Sequence, residues 1–177
     1  LLRYILIHAK PSEVLFKGVS LPINSATILT TWNTLGDFCL ELSSEERKVY
    51  IEDLAAKLNV TVPGSPQMPF APTNWQQLQE MVGEGLDVGS HSVTHPILSS
   101  LPLNQLQTEL TESKSRIKEM LKIDAAGICY PNGMPRDISS LVQEEAKRFY
   151  SYGVVAYPKK FDPAKIMRVG RIGATND

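Results

Sequence analysis

Residues 85–98 read Gly-Leu-Asp-Val-Gly-Ser-His-Ser-Val-Thr-His-Pro-Ile-Leu, and they decide how the rest of the chain is read. Only three histidines occur among the 177 residues, and two of them, His91 and His95, lie four apart in this run. Leu86, Asp87 and Val88 form a short approach, and Gly89, Ser90, Ser92 and Thr94 surround the histidines with small side chains. Imidazole is the commonest side chain for holding a transition metal, and a zinc site needs two or three such nitrogens converging at about 2.0–2.1 Å. Two histidines at the end of a strand therefore suggest a metal site. Two polar loop residues without chemistry are the other reading, and spacing alone leaves both open.

Working outward, the chain after Pro72 alternates helix and strand. Thr73 or Asn74 caps a helix with Trp75, Leu78, Met81 and Val82 on one face, ending at Gly83 and Gly85. Leu86 to Gly89 reads as a short strand delivering His91. Pro102 to Lys122 is the longest helix, with Leu103, Leu106, Leu110, Ile117 and Leu121 facing inward. Ala125 to Tyr130 is the next strand and delivers Pro131 and Asn132. A helix over Asp137–Tyr150 follows, then strands over Tyr152–Ala156 and Ile166–Ile172. Such alternation predicts parallel strands wrapped by helices, with active residues at the strands' C-terminal ends.

Upstream, Leu1 to Ala9 reads as helical, and Val14 to Thr31 as β-rich with turns at Gly18 and Pro22-Ile23-Asn24. Ser43-Ser44-Glu45-Glu46 is a capping box opening a helix to about Leu58, with Val49, Leu54, Ala55 and Leu58 as its apolar side. Pro63, Pro66, Pro69 and Pro72 then make residues 62–72 a loop, since proline suits neither helix interior nor central strand. The front shows no obvious core of its own, so the whole chain reads as a single domain. Its net charge of −1 gives no electrostatic reason for a nucleic-acid or anionic-membrane partner. No run approaches the roughly 18 apolar residues of a membrane span. Cys39 and Cys129 are too few for a disulfide framework and read as buried free thiols.

Gly-Ser-His-Ser-Val-Thr-His-Pro-Ile-Leu resembles the second motif, H-[ST]-x-x-H, of the polysaccharide deacetylases (the NodB-like domain, carbohydrate esterase family 4). Ala126-Gly127-Ile128-Cys129-Tyr130-Pro131-Asn132-Gly133 is similar to that family's third motif in its Y-P-N-G form. The likeness runs from about Pro72 to Gly173, giving a family-like core over 73–173, and residues 1–72 resemble a variable insertion that some members carry. It implies an incomplete, distorted (β/α) barrel lacking its N-terminal strand or strands. It also implies a metal-dependent hydrolase that removes N-acetyl groups from an amino-sugar polysaccharide. His91 and His95 would bind a divalent metal, zinc first, with cobalt, nickel and iron compatible with the same ligands. Ser92 and Thr94 would orient the histidines by hydrogen bonds, or else bond only their own backbone. The Asn132 N–H, following Pro131, would face the developing oxyanion, and the partner would be an N-acetylated glycan.

Three departures accompany the likeness. The family's first motif supplies a catalytic base and a third metal ligand from adjacent aspartates, and no Asp-Asp pair occurs here. The chain opens on Leu1-Leu2-Arg3-Tyr4-Ile5-Leu6-Ile7, which reads as the middle of an amphipathic helix. Together these suggest the C-terminal portion of a longer enzyme, inactive alone, whose localisation and oligomeric state this portion leaves open. Where many members carry Arg two residues before the motif-three proline, this chain has Cys129. Where many end on a general-acid histidine it reads Met167-Arg168-Val169-Gly170-Arg171-Ile172, with Arg171 as a candidate replacement charge. The competing class is a non-catalytic carbohydrate-binding or scaffolding member of the same fold. A metalloprotease is excluded, because H-E-x-x-H needs Glu where Ser92 stands and a helix where Pro96 interrupts.

Overall fold

Leu2, Ile5 and Leu6 fall on one helical face, and the chain opens as expected with α1 (Leu2–His8), which buries all three. The computed structural model describes residues 1–65 and 72–172, and the chain gathers into two units, Leu1–Pro72 and Thr73–Asp177. In the first unit α1 leads to a hairpin, β1 (Ser12–Phe16) antiparallel to β2 (Val19–Ile23). Its turn is Lys17-Gly18, with φ of 49° and 81°, the left-handed pair that matches the twist of a two-residue hairpin.

The β reading fails beyond Ile23, where α2 (Ile28–Glu41) forms instead. Threonine and isoleucine favour strands locally, but Thr31, Leu35 and Cys39 recur at four-residue spacing and are all buried. Burial of one helical face outweighs propensity here. α3 (Ser44–Lys57) starts at the expected capping box: Ser43 Oγ accepts from the Glu46 N–H, and the Glu46 carboxylate accepts from the Ser43 N–H. Leu54 and Ala55 turn inward, but Val49, expected beside them, is exposed. Leu2, Ile5, Leu6, Ile23, Leu35 and Leu54 pack together. The front therefore has a core of its own, contrary to the sequence expectation. It is assembled from four elements, α1, β2, α2 and α3.

Of the proline-rich stretch, Pro66 and Pro69 lie outside the described residues. The second unit begins with α4 (Trp75–Gly83), where Asn74 Oδ1 accepts from the Gln77 N–H. It continues through α5 (Leu103–Leu121), β3 (Gly127–Cys129), α6 (Ser140–Lys147) and β4 (Tyr152–Val154). β3 and β4 are parallel, with Gly127 opposite Tyr152 and Cys129 opposite Val154. A single parallel bridge extends this sheet on either side, Ser90 to Ile128 and Val169 to Val154. The alternation of helices with short parallel rows gives the expected α/β class, with a sheet that stays small and open in the manner of an incomplete barrel.

Two expected strands shrink to those bridges. Residues 86–89 pair with nothing in the sheet, and only Ser90 does. The stretch expected as a strand over 166–172 begins inside a 3-10 helix, Pro163–Arg168, and pairs only at Val169. Asp162 Oδ1 accepts from the Ala164 N–H and Pro163 occupies the first turn, a helix-start signal that overrides the apolar run behind it. The helix expected over 137–150 is likewise split, into a 3-10 turn at Pro135–Asp137 and α6.

The core of this unit joins Leu106 and Leu110 of α5 to Ile128, Tyr130, Val142 and Val155. Farther along α5, Ile117 and Leu121 pack with Ala125, and Trp75, Leu78 and Val82 of α4 lie against them. Leu103, expected to face inward, is instead 47% exposed. Gly153 permits the close approach of β4 to its neighbours, since a Cβ there would stand 2.7 Å from the Met167 carbonyl oxygen. Among the described residues no helix is long and apolar enough to cross a membrane.

Candidate active site

The register of the parallel rows decides what meets at one edge. Ser90 lies beside Ile128, Cys129 beside Val154, and Val154 beside Val169. The residues that follow each row, His91, Pro131, Ala156 and Arg171, therefore emerge at the same, C-terminal edge. Backbone bonds fix these neighbours: the Ser90 N–H donates to Gly127 O at 2.9 Å and the Cys129 N–H to Ser90 O at 2.8 Å. On the far side the Val155 N–H donates to Val169 O at 2.8 Å.

The histidine loop turns sharply after Ser90. Ser92 and His95 both adopt left-handed backbone, φ 65° and 59°, which costs a non-glycine residue about 1–2 kcal/mol each. Polar contacts hold that conformation. Ser92 Oγ accepts from the His95 N–H at 3.0 Å. The Glu109 carboxylate on α5 accepts from the N–H groups of Val93 and Thr94 at 2.7 and 3.0 Å, and from the Thr94 hydroxyl at 2.5 Å. Beneath the loop, Ser90 is buried and its hydroxyl lies 2.8 Å from Ser113 Oγ, which in turn lies 3.1 Å from the Tyr150 hydroxyl.

This loop sets the His91 and His95 rings edge to face, with centroids 4.7 Å apart. His91 Nδ1 is 2.6 Å from the carbonyl oxygen of Cys129. A carbonyl oxygen can only accept, so Nδ1 carries the proton, and in the neutral ring Nε2 keeps its lone pair. A histidine tied down through one nitrogen in this way has the arrangement that metal-binding imidazoles generally adopt. Two adjacent imidazoles, one of them with its tautomer set, are a donor pair that fits a divalent metal. Among the described residues no group of three or more His, Cys, Asp or Glu forms a metal-holding set.

Beside the histidines, β3 runs into Tyr130 and the Pro131 loop. Tyr130 and Pro131 are fully buried. The Gly133 N–H donates to Pro131 O at 2.6 Å, closing a three-residue turn on Asn132, whose φ is 55°. Gly133 also has a positive φ, 67°, and a Cβ there would lie 2.8 Å from the Ala156 backbone nitrogen. Glycine is thus required where the Ala156 N–H donates to Gly133 O. The buried Asp137 holds the far end of this loop by accepting from the Met134 N–H. Among the described residues the Asn132 N–H meets no acceptor.

Charge reaches this edge from Arg171, whose Nε donates to the Val155 carbonyl at 3.2 Å. His91 is raised above the usual imidazole pKa chiefly by its hydrogen bond with the Cys129 side chain, with burial and the Arg171 charge opposing. The Cys129 thiol is lowered by the same bond, and further by Arg171 and by His91 itself. Both cysteines are free; Cys39 is buried, but Cys129 is only partly so.

The structure thus places His91, His95, Pro131, Asn132 and Arg171 along one edge. Ser92 acts on the His95 backbone, and Thr94 reaches Glu109 rather than an imidazole. Two participants escape the sequence reading. The Cys129 carbonyl that orients His91 is backbone and has no side-chain signature. Glu109 looks like any helical glutamate, and its spacing of four from Ser113 is the only hint that this face of α5 is engaged.

Residues 51–150 match the sequence profile of the family described as polysaccharide deacetylase. No curated protein matches the chain. Among solved structures, the Streptococcus pyogenes deacetylase PplD in complex with acetate is 25% identical with a TM-score of 0.54, the match covering 59% of this chain and 46% of that one. IcaB from Ammonifex degensii is 21% identical with a TM-score of 0.53, covering 70% of this chain and 60% of that one. BC0361, a polysaccharide deacetylase from Bacillus cereus, is 22% identical with a TM-score of 0.50, covering 59% and 33%. The latter two share the fold, and this chain spans less than two thirds of the length of each of the three.

Proposed function

Since the chain belongs to the polysaccharide deacetylase family, we propose that it contributes to a metal-dependent hydrolase removing N-acetyl groups from an amino-sugar polysaccharide. The observation that carries this reading is the His91–His95 pair, edge to face at 4.7 Å with His91 Nδ1 bonded to the Cys129 carbonyl. These two side chains would hold a divalent metal, zinc first, with cobalt, nickel or iron compatible. An acetamide resists hydrolysis because water is a weak nucleophile and nitrogen a poor leaving group. A bound metal supplies what is lacking, polarising the acetyl carbonyl and lowering the pKa of a water.

The chain's own groups then account for orientation and charge. The Cys129 carbonyl keeps the His91 proton on Nδ1, so that Nε2 faces outward as a lone pair. The Asn132 N–H donates to the oxygen that gains charge as the acetyl carbon becomes tetrahedral. Pro131 fixes the approach to that amide, and Gly133 leaves no side chain to crowd the glycan. Arg171 contributes positive charge at the same edge, next to where a carboxylate base would work.

The test is acetate release from N-acetylglucosamine oligomers by the intact protein, before and after treatment with a chelator. Release that stops on chelation and returns with Zn²⁺ is the expected result. Release unaffected by complete metal removal contradicts the mechanism. Retention of the glycan with no acetate released under any of the four metals selects the non-catalytic carbohydrate-binding reading.

A further inference from the structure

We propose that Glu109 is the positioning residue of the histidine pair: its carboxylate, projecting from α5, sets the relative placement of the His91 and His95 rings. This rests on the metal-site reading above. Glu109 lies 15 and 16 residues from the two amides it binds, so the contact is tertiary rather than a local turn. One oxygen, Oε2, takes the N–H groups of both Val93 and Thr94, and the other, Oε1, takes the Thr94 hydroxyl. All three donors come from the segment between the two histidines. Among the described residues the same carboxylate enters no ion pair.

The geometry explains why such a clamp is needed. The segment enters left-handed backbone at Ser92 and again at His95. Neither residue is glycine, so the conformation carries a cost that neighbouring contacts offset. Ser92 Oγ, accepting from the His95 N–H, closes the turn from within, but this bond alone leaves Val93 and Thr94 exposed with two amides to satisfy. Aligned amides in a tight turn attract an anion, and here the protein supplies its own. A carboxylate accepts charge-assisted bonds, which are shorter and stronger than neutral ones.

α5 is a rigid platform for this job. Leu106 and Leu110, flanking Glu109, are fully buried in the core, and Ser113, one turn on, meets Ser90 directly before His91. One helix therefore fixes the chain just before the first histidine and again between the two. Without the carboxylate, the segment between His91 and His95 loses three of the bonds that shape it, while the Ser92 N–H stays on Ser90 Oγ and the His95 N–H on Ser92 Oγ.

The experiment uses the intact protein and two readouts. In the metal-free protein, the nuclear Overhauser effect between the two imidazole rings reports their placement directly. Zn²⁺ affinity, measured by competition with a chromophoric chelator, reports the consequence. Glu109→Ala is expected to abolish the inter-ring effect and to weaken Zn²⁺ binding about 10–100-fold, the usual cost of losing a group that orients a metal ligand. Thr94→Val, a milder lesion that keeps the carboxylate, is expected to fall between Glu109→Ala and the unmodified protein. Thr94→Ser keeps the hydroxyl and is expected to restore both readouts, which a merely bulky or structural role for Thr94 would not produce. An inter-ring effect that survives Glu109→Ala overturns the proposal, as does loss of that effect with unchanged Zn²⁺ affinity. If the unmodified protein binds no Zn²⁺ while Glu109→Ala still abolishes the inter-ring effect, the positioning role stands and the metal reading fails.

Discussion

His91→Ala in the intact protein is expected to lower deacetylase turnover at least about a hundredfold, since even groups that merely orient a metal ligand are worth 10–100-fold. His95→Ala should do the same. Each replacement removes one of only two imidazoles at this edge and with it the donor set on which the proposed chemistry depends. Stability should change little, by no more than about 1 kcal/mol, because both side chains are exposed and neither belongs to a buried apolar cluster. Steady-state rates on an acetylated glucosamine oligomer, paired with a thermal melt, separate the two effects. Full turnover by either variant would remove that histidine from the mechanism. Loss of activity accompanied by a collapse in stability would instead assign it a structural role.

Leu110→Ala is expected to cost about 2–5 kcal/mol of unfolding free energy. Leu110 is completely buried in the second unit's core, among Leu106, Ile128, Val142 and Val155. Its carbonyl also accepts from the buried Tyr150 hydroxyl at 2.8 Å, so a collapsing cavity would disturb the Ser113–Tyr150 contact as well. Leu103→Ala is the matched control. Leu103 is 47% exposed, and its replacement should stay within about 0.5 kcal/mol. Urea denaturation of both variants reads the difference. Equal destabilisation would contradict an α5 that buries Leu110 and leaves Leu103 half-exposed.

Those two leucines also show where sequence reading succeeds and where it stops. The 3.6-residue period over Leu103–Leu121 is long enough to identify a helix and most of its buried face. It also assigns Leu103 to that face, because period alone does not reveal where the core ends. Capping chemistry is legible for the same reason, being local: Ser43 with Glu46 fixes one helix start, and of Thr73 and Asn74 the structure selects Asn74, paired with Gln77, for the next. Strands are harder. β3 and β4 have only three residues each, and Ser90 and Val169 join their sheet by single bridges. Two-residue alternation cannot be recognised over so short a span. The error at Thr31 has a different origin, since a threonine-rich run reads as β until tertiary burial selects one helical face.

The candidate site divides along the same line. His91 and His95 stand out because histidine is rare in this chain, whereas Asn132 and Gly133 stand out only through the resemblance to the family's third motif; both adopt left-handed backbone. The Cys129 carbonyl and the Glu109 carboxylate matter only through neighbours that are 38 and 15 residues away. No local pattern encodes such contacts, and only the folded chain reveals them.

The most direct test is anomalous diffraction at the zinc edge from crystals of the intact protein equilibrated with Zn²⁺. The expected result is one strong peak shared by His91 Nε2 and a ring nitrogen of His95, at about 2.0–2.1 Å from each. The same crystals of His91→Ala should lack it. Zinc bound elsewhere, or no peak beside two well-ordered imidazole rings, would contradict the assignment of this histidine pair as a metal site.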